Sequence, residues 1–184
     1  MTYSPPPGNY PPPPGGAGYP PAGYGAVPGA VDNLPQEAYA SWGVRVVAYV
    51  IDLLPVWVLY GIGFGIQMSD FATTRCVPGE CTGPSPMAPL VYFAVWLLAL
   101  VYQLWNRGYR QGTTGQSIGK SAMKIKLVSA ETGQPIGFGM AFVRDIAHIV
   151  DAIICYVGFL FPLWDAKRQT IADKMISTVV LPSS

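Results

Sequence analysis

Charge is what this chain has least of. Acidic and basic residues together make up 11% of its 184 positions, against about 25% in an ordinary soluble domain. With 51% hydrophobic residues and a mean hydropathy of +0.32, that deficit excludes a typical water-soluble enzyme and points to a membrane. The net charge of +1 excludes nucleic-acid binding driven by bulk charge. Three cysteines and a single histidine exclude a disulfide scaffold and offer no ligand set, so no metal and no cofactor is expected. No Ser/His/Asp or Cys/His constellation is visible, and the chain reads as a non-enzyme. Length is short as well. It suits two to four short helices, and transport would require several copies, because one chain cannot hold the paired repeats of most secondary transporters.

The first 35 residues contain no Lys or Arg, but they hold eleven Pro and seven Gly. Proline removes a backbone donor and glycine adds backbone freedom, so residues 1–38 read as a disordered tail leaning to polyproline II, with Tyr3, Tyr10, Tyr19 and Tyr24 set among the prolines. The tail lacks the basic and apolar regions of a signal peptide. It reads either as a docking ligand for a protein partner or as a solvated spacer.

Residues 39–184 form the expected membrane domain, with apolar segments at about 44–66, 87–105 and 136–164. The first two suffice to cross a hydrocarbon core of about 30 Å. Arg45 and Asp52 lie seven residues apart and share one helical face. An aspartate at that depth must be paired, protonated or hydrated, and Arg144 is the expected partner. Pro55 is expected to free a backbone carbonyl, and Gly61 with Gly65 has the spacing of close helix packing. Cys76 and Cys81 flank a Pro-Gly turn in a polar loop over 67–86, which suits a disulfide on an oxidising face; two free thiols are the other reading.

Five basic residues lie in 106–139 and one, Arg75, in the first loop. The asymmetry puts 106–139 and the N-terminus in the cytoplasm of a multi-pass plasma-membrane protein. Gly119-Lys120-Ser121 looks like the end of a phosphate-binding loop, but Thr114 stands where that motif needs glycine, so nucleotide hydrolysis is rejected. A short helix and a strand at 124–128 are expected instead. In the third segment Arg144, His148 and Asp151 follow helical spacing, with Asp145 beside them, so one face is ionisable. A single span there would leave Lys167, Arg168 and Lys174 outside, against the positive-inside rule. The strands at 124–128 and 178–181 could pair only if both lie on one side. Residues 138–164 are therefore expected to enter and return, turning near Gly158 and Pro162, with the C-terminus cytoplasmic.

The stretches R-V-V-A-Y-V-I-D at 45–52, S-I-G-K-S-A-M-K-I-K-L-V, A-F-V-R-D at 141–145 and D-A-K-R-Q-T-I-A-D-K resemble the RDD family of small membrane proteins over about 39–181. The Pro/Gly tail and G-F-L-F-P-L-W-D-A-K-R-Q are similar to its actinobacterial proline-rich antigen branch. By that resemblance Arg45 and Asp52 match the family's Arg and first Asp, and Asp173, with Asp165 as the alternative, matches its second. The resemblance implies an integral membrane protein with a suspected part in transport, cation/proton exchange included. The fold expected is an all-α membrane protein, a small helical bundle of two or three transmembrane segments behind a disordered tail. Two functions follow. One is a membrane scaffold or accessory subunit with a Pro-rich docking arm; the other is transport of ions or small solutes through a homo-oligomer, with Asp52 cycling its proton and His148 in a relay.

Overall fold

A computed structural model describes residues 31, 34–73, 75–83, 85–154 and 156–183. Most of the Pro/Gly-rich tail lies outside these residues. The protein is mostly helical, and two helices are long and apolar enough to cross a membrane. Helix α1 runs Trp42–Thr73 and helix α2 Met87–Thr114. At about 1.5 Å per residue both exceed a hydrocarbon core of about 30 Å, so their ends project beyond it.

Both helices outrun the apolar runs in the sequence. Residues 67–73, expected in a loop, continue α1, and Pro55 sits inside it without ending it. Beyond Gln103, α2 continues through a π-helical stretch, Leu104–Arg110, to Thr114. The extra residue per turn rotates the side chains that follow, and it comes where the buried Asn106 and Gly108 must face inward. Between α1 and α2, strands β1 (Arg75–Val77) and β2 (Glu80–Thr82) pair antiparallel with Cys76 opposite Cys81. The side chains of both cysteines lie outside the described residues.

The helices pack through small residues. The buried positions of α1 are Ala48, Asp52, Val56 and Gly63, one helical face, while Trp57, Val58 and Phe64 are exposed. Gly63 is the packing glycine, because a Cβ there would touch Tyr92 and Val95 of α2 at 3.4 Å. Gly61 and Gly65, the expected packing pair, face open space.

A compact cap closes one end of this pair. A short helix α3 (Ile118–Ala122) leads into β3 (Ile125–Ser129), which pairs antiparallel with β4 (Thr178–Pro182). Two strands alone are marginal in water, and here both faces are covered. Val128, Val179 and Leu181 pack on Val31 and Tyr39, whereas Leu127 and Val180 pack on Ala40 and Ala48. The Tyr39 hydroxyl donates to the Val31 carbonyl at 2.8 Å. Packing therefore begins ahead of residue 39.

Between the strands lie α4 (Gly137–Ile153), α5 (Val157–Leu163) and α6 (Ile171–Met175). α4 and α5 meet at a bend of 106°. The turn falls at Ile154 and Tyr156, with Tyr156 at φ 62, ahead of Gly158 and Pro162. Gly158 instead lets the chain lie against Asp151, whose carboxylate a Cβ would strike. Because β3 precedes this excursion and β4 ends it, 130–177 leaves and returns to one sheet.

Candidate functional site

The charged residues gather in the cap, around two buried carboxylates. Asp52, on the inner face of α1, is 2% exposed. Its Oδ1 accepts from Asn106 Nδ2 at 2.8 Å and from the Gly119 amide at 2.7 Å, and its Oδ2 from Ser117 Oγ at 2.5 Å. Ser117 also caps α3, accepting from the Lys120 amide. The Gly-Lys-Ser segment thus offers one helix N-terminal amide, that of Gly119, to an anion, and the anion is the chain's own carboxylate. No arginine reaches Asp52 among the described residues, which corrects the expected Asp52–Arg144 pair. Asn and Ser donors with a backbone amide satisfy this carboxylate without a counter-charge.

Arg144 belongs to the second centre. Its Nε and Nη2 donate to Asp173 Oδ1 at 2.8 and 2.7 Å, while Arg45 Nη1 donates to Oδ2 at 3.0 Å. Asp173 has no solvent exposure. It also closes the Thr170 capping box at the start of α6 and accepts from Thr178 Oγ1 at 3.1 Å. Burial alone would raise its pKa, but Arg144 and then Arg45 outweigh burial and hold the carboxyl well below the usual range. Arg45 and Asp52 share the α1 face, as their spacing requires, yet they serve different centres. Arg45 and Asp173, which the resemblance matched to the family's Arg and second Asp, form one ion pair.

Asp165 stands apart from both. It accepts from Lys174 Nζ at 2.5 Å and from the amides of Lys167 and Gln169. Burial pushes it up, and these donors pull it below its usual value. It anchors the turn before α6. Asp145 pairs with Arg107 at 3.0 Å. His148 Nδ1 lies 2.7 Å from Asp151 Oδ2, and its ring stacks on Phe159. The ionisable stripe of α4 is real, but it divides: Arg144 and Asp151 are buried, while Asp145 and His148 are partly exposed along a cleft that Arg144 also lines.

Sequence reasoning missed Asn106, Ser117, Gly119, Thr170 and Thr178. The T-x-x-D spacing at 170–173 was a legible capping signal. Nothing local to Asn106 distinguishes it, since its partner lies 54 positions away. Among the described residues no group of three or more His, Cys, Asp or Glu could hold a metal ion.

The sequence has counterparts. The RDD family matches residues 39–177, which include Arg45, Asp52, Arg144 and Asp173. The chain belongs to the RDD family. Within it, the chain is 52% identical over 161 residues to the proline-rich antigen of Mycobacterium leprae, covering 83% of this chain and 65% of that protein. It is likewise 52% identical over 162 residues to the proline-rich antigen homolog of Mycobacterium tuberculosis H37Rv, covering 83% and 67%. The chain thus spans about two thirds of these relatives' length. An uncharacterized protein of Haemophilus influenzae is 27% identical over 152 residues, with 79% and 80% covered. No solved structure matches this RDD protein.

Proposed function

We propose that this RDD protein is a non-enzymatic plasma-membrane scaffold or accessory subunit, multi-pass, with its cap and both termini in the cytoplasm. The observation that carries this reading is the closure of Asp52 and Asp173. Asp52 is held by donors from two other segments, up to 67 positions away, and Asp173 by donors from at least three, up to 128 positions away. Groups so fixed stabilise one arrangement, whereas an ion path needs groups that exchange partners. Depth supports the same reading. The apolar run of α2, Met87 to Trp105, covers about 28 Å. Asn106, the next residue, donates to Asp52, so the pair stands near the end of that run and toward an interface.

Orientation rests on charge. The cap end carries Arg107, Arg110, Lys120, Lys124, Lys126, Lys167, Arg168 and Lys174, and the hairpin end carries Arg75. The Pro-rich segment ahead of the cap is then a cytoplasmic arm for a protein partner. Purified protein in proteoliposomes under a pH gradient tests the choice between scaffold and exchanger. Sodium, potassium or lithium should collapse the gradient no faster than in empty vesicles. Cation-dependent proton flux that a folded Asp52→Asn variant loses would establish exchange, with or without a homo-oligomer.

A further inference from the structure

A cleft of about 540 Å³ opens between the start of α1, α4 and α5. Val46, Tyr49, Ile149, Ala152 and Phe159 give it apolar walls, and Ile149 and Tyr156 are exposed beyond it. Its charged lining is mostly cationic, Arg45, Arg107, Lys120 and Arg144 against Asp145, with His148 and Thr170 beside them. The pairings do not use up this charge. Asp145 takes Arg107, and the buried Asp173 takes Arg144 and one nitrogen of Arg45. Arg45 Nη2 is buried with no acceptor among the described residues. Lys120 Nζ donates at 2.6 Å to the neutral Gln111 side-chain oxygen and forms no ion pair among the described residues. Burial, then Arg144 and Arg107, push Lys120 down to about 7, a crowding of positive charge that an anion relieves.

We propose that this cleft binds an anionic membrane phospholipid, its phosphate accepting from Lys120 and Arg45 Nη2 and an acyl chain lying along the apolar face of α4. Charge complementarity selects the anion, and the apolar walls select an amphiphile over a free phosphate, which gains nothing from Val46, Ile149 or Phe159. Trp42 lines the same cleft and donates to the Phe159 carbonyl at 2.8 Å, an indole fixed where interfacial aromatics belong. The site is independent of the scaffold reading, since an exchanger could carry it equally.

The test uses the full chain in detergent, titrated with phosphatidylglycerol, phosphatidylcholine or inorganic phosphate, with binding read by native mass spectrometry and melting temperature. Phosphatidylglycerol should bind and raise the melting temperature, and the other two should not. Lys120→Gln should weaken phosphatidylglycerol binding about tenfold, the loss of one charge-assisted hydrogen bond, while Lys126→Gln, outside the cleft, keeps wild-type affinity. Ala152→Phe, which fills the cleft without altering a charge, should abolish binding and decides the matter if Lys120→Gln does not fold. Equal binding of both phospholipids, wild-type affinity in Ala152→Phe, or the same stabilisation by inorganic phosphate alone would overturn the proposal.

Discussion

Asp173 keeps its charge without solvent exposure because two guanidiniums, a helix cap and a threonine hydroxyl surround it. Removing that charge strands Arg144 and Arg45. Breaking a buried pair from one side costs about 3–5 kcal/mol, so Asp173→Asn should melt far below wild type in detergent. Asp173→Asn with Arg144→Gln should melt above the sum of the two single losses, since the second change removes the stranded cation. Asp52→Asn with Arg144→Gln should simply add, because those residues share no partner. The pH dependence has a definite sign. A carboxyl whose folded pKa is depressed stabilises the protein above the ordinary carboxylate range of about 3.9. That stability is lost as pH falls below this range toward the folded value. Wild type should thus lose melting temperature steeply below about pH 4, and Asp173→Asn, already without it, should show a shallower decline.

Elements meet in this fold by close backbone approach, which only glycine permits. α3 lies so near α1 that a Cβ on Gly119 would strike the Ala48 carbonyl oxygen and crowd the Asp52 carboxylate. Gly119→Ala must push α3 off α1 and break the Asp52 contacts, with a loss of several degrees in melting temperature. Gly61→Ala, facing open space on α1, should be neutral or raise stability by up to about 1 kcal/mol, since alanine loses less backbone entropy on folding. Equal effects of the two would contradict the α1–α3 contact. The elements were largely legible in the sequence. Apolar runs marked α1 and α2, period-two alternation marked β3, and the short strand-like stretch at 178–181 marked β4. Their ends were not, because Ser69, Asp70, Arg107 and Arg110 read as loop but sit on helical turns that extend past the apolar lengths. The carboxylate partners were illegible for a different reason. Asn106, Ser117 and Gly119 owe their role to a three-dimensional meeting with Asp52 that no local pattern records, and the nearest arginine by spacing, Arg45, is committed to Asp173.

Taken whole, the molecule is inverted relative to a soluble domain. Small and polar groups such as Ala48, Asp52, Gly63, Ala99 and Asn106 face inward, while Trp57, Phe64, Phe93 and Leu98 face out. Lipid is as apolar as leucine, so burying leucine gains little there. Close approach of small residues and satisfied polar groups supplies the cohesion instead. The β3–β4 sheet then fixes the path of the chain. One sheet cannot straddle a bilayer, so the segment between its strands must return to the side it left, and the bend between α4 and α5 is where it turns. With two helices long enough to cross and a returning third segment, the C-terminus falls on the same basic side as the start of α1, the side proposed to be cytoplasmic. Paired reporters fused after Ser184 test this most directly. The account predicts a fluorescent cytoplasm-only reporter and an inactive alkaline phosphatase at that position. Active phosphatase with a dark cytoplasmic reporter would mean that residues 137–163 cross, and would contradict the cap, the shared sheet and the orientation together.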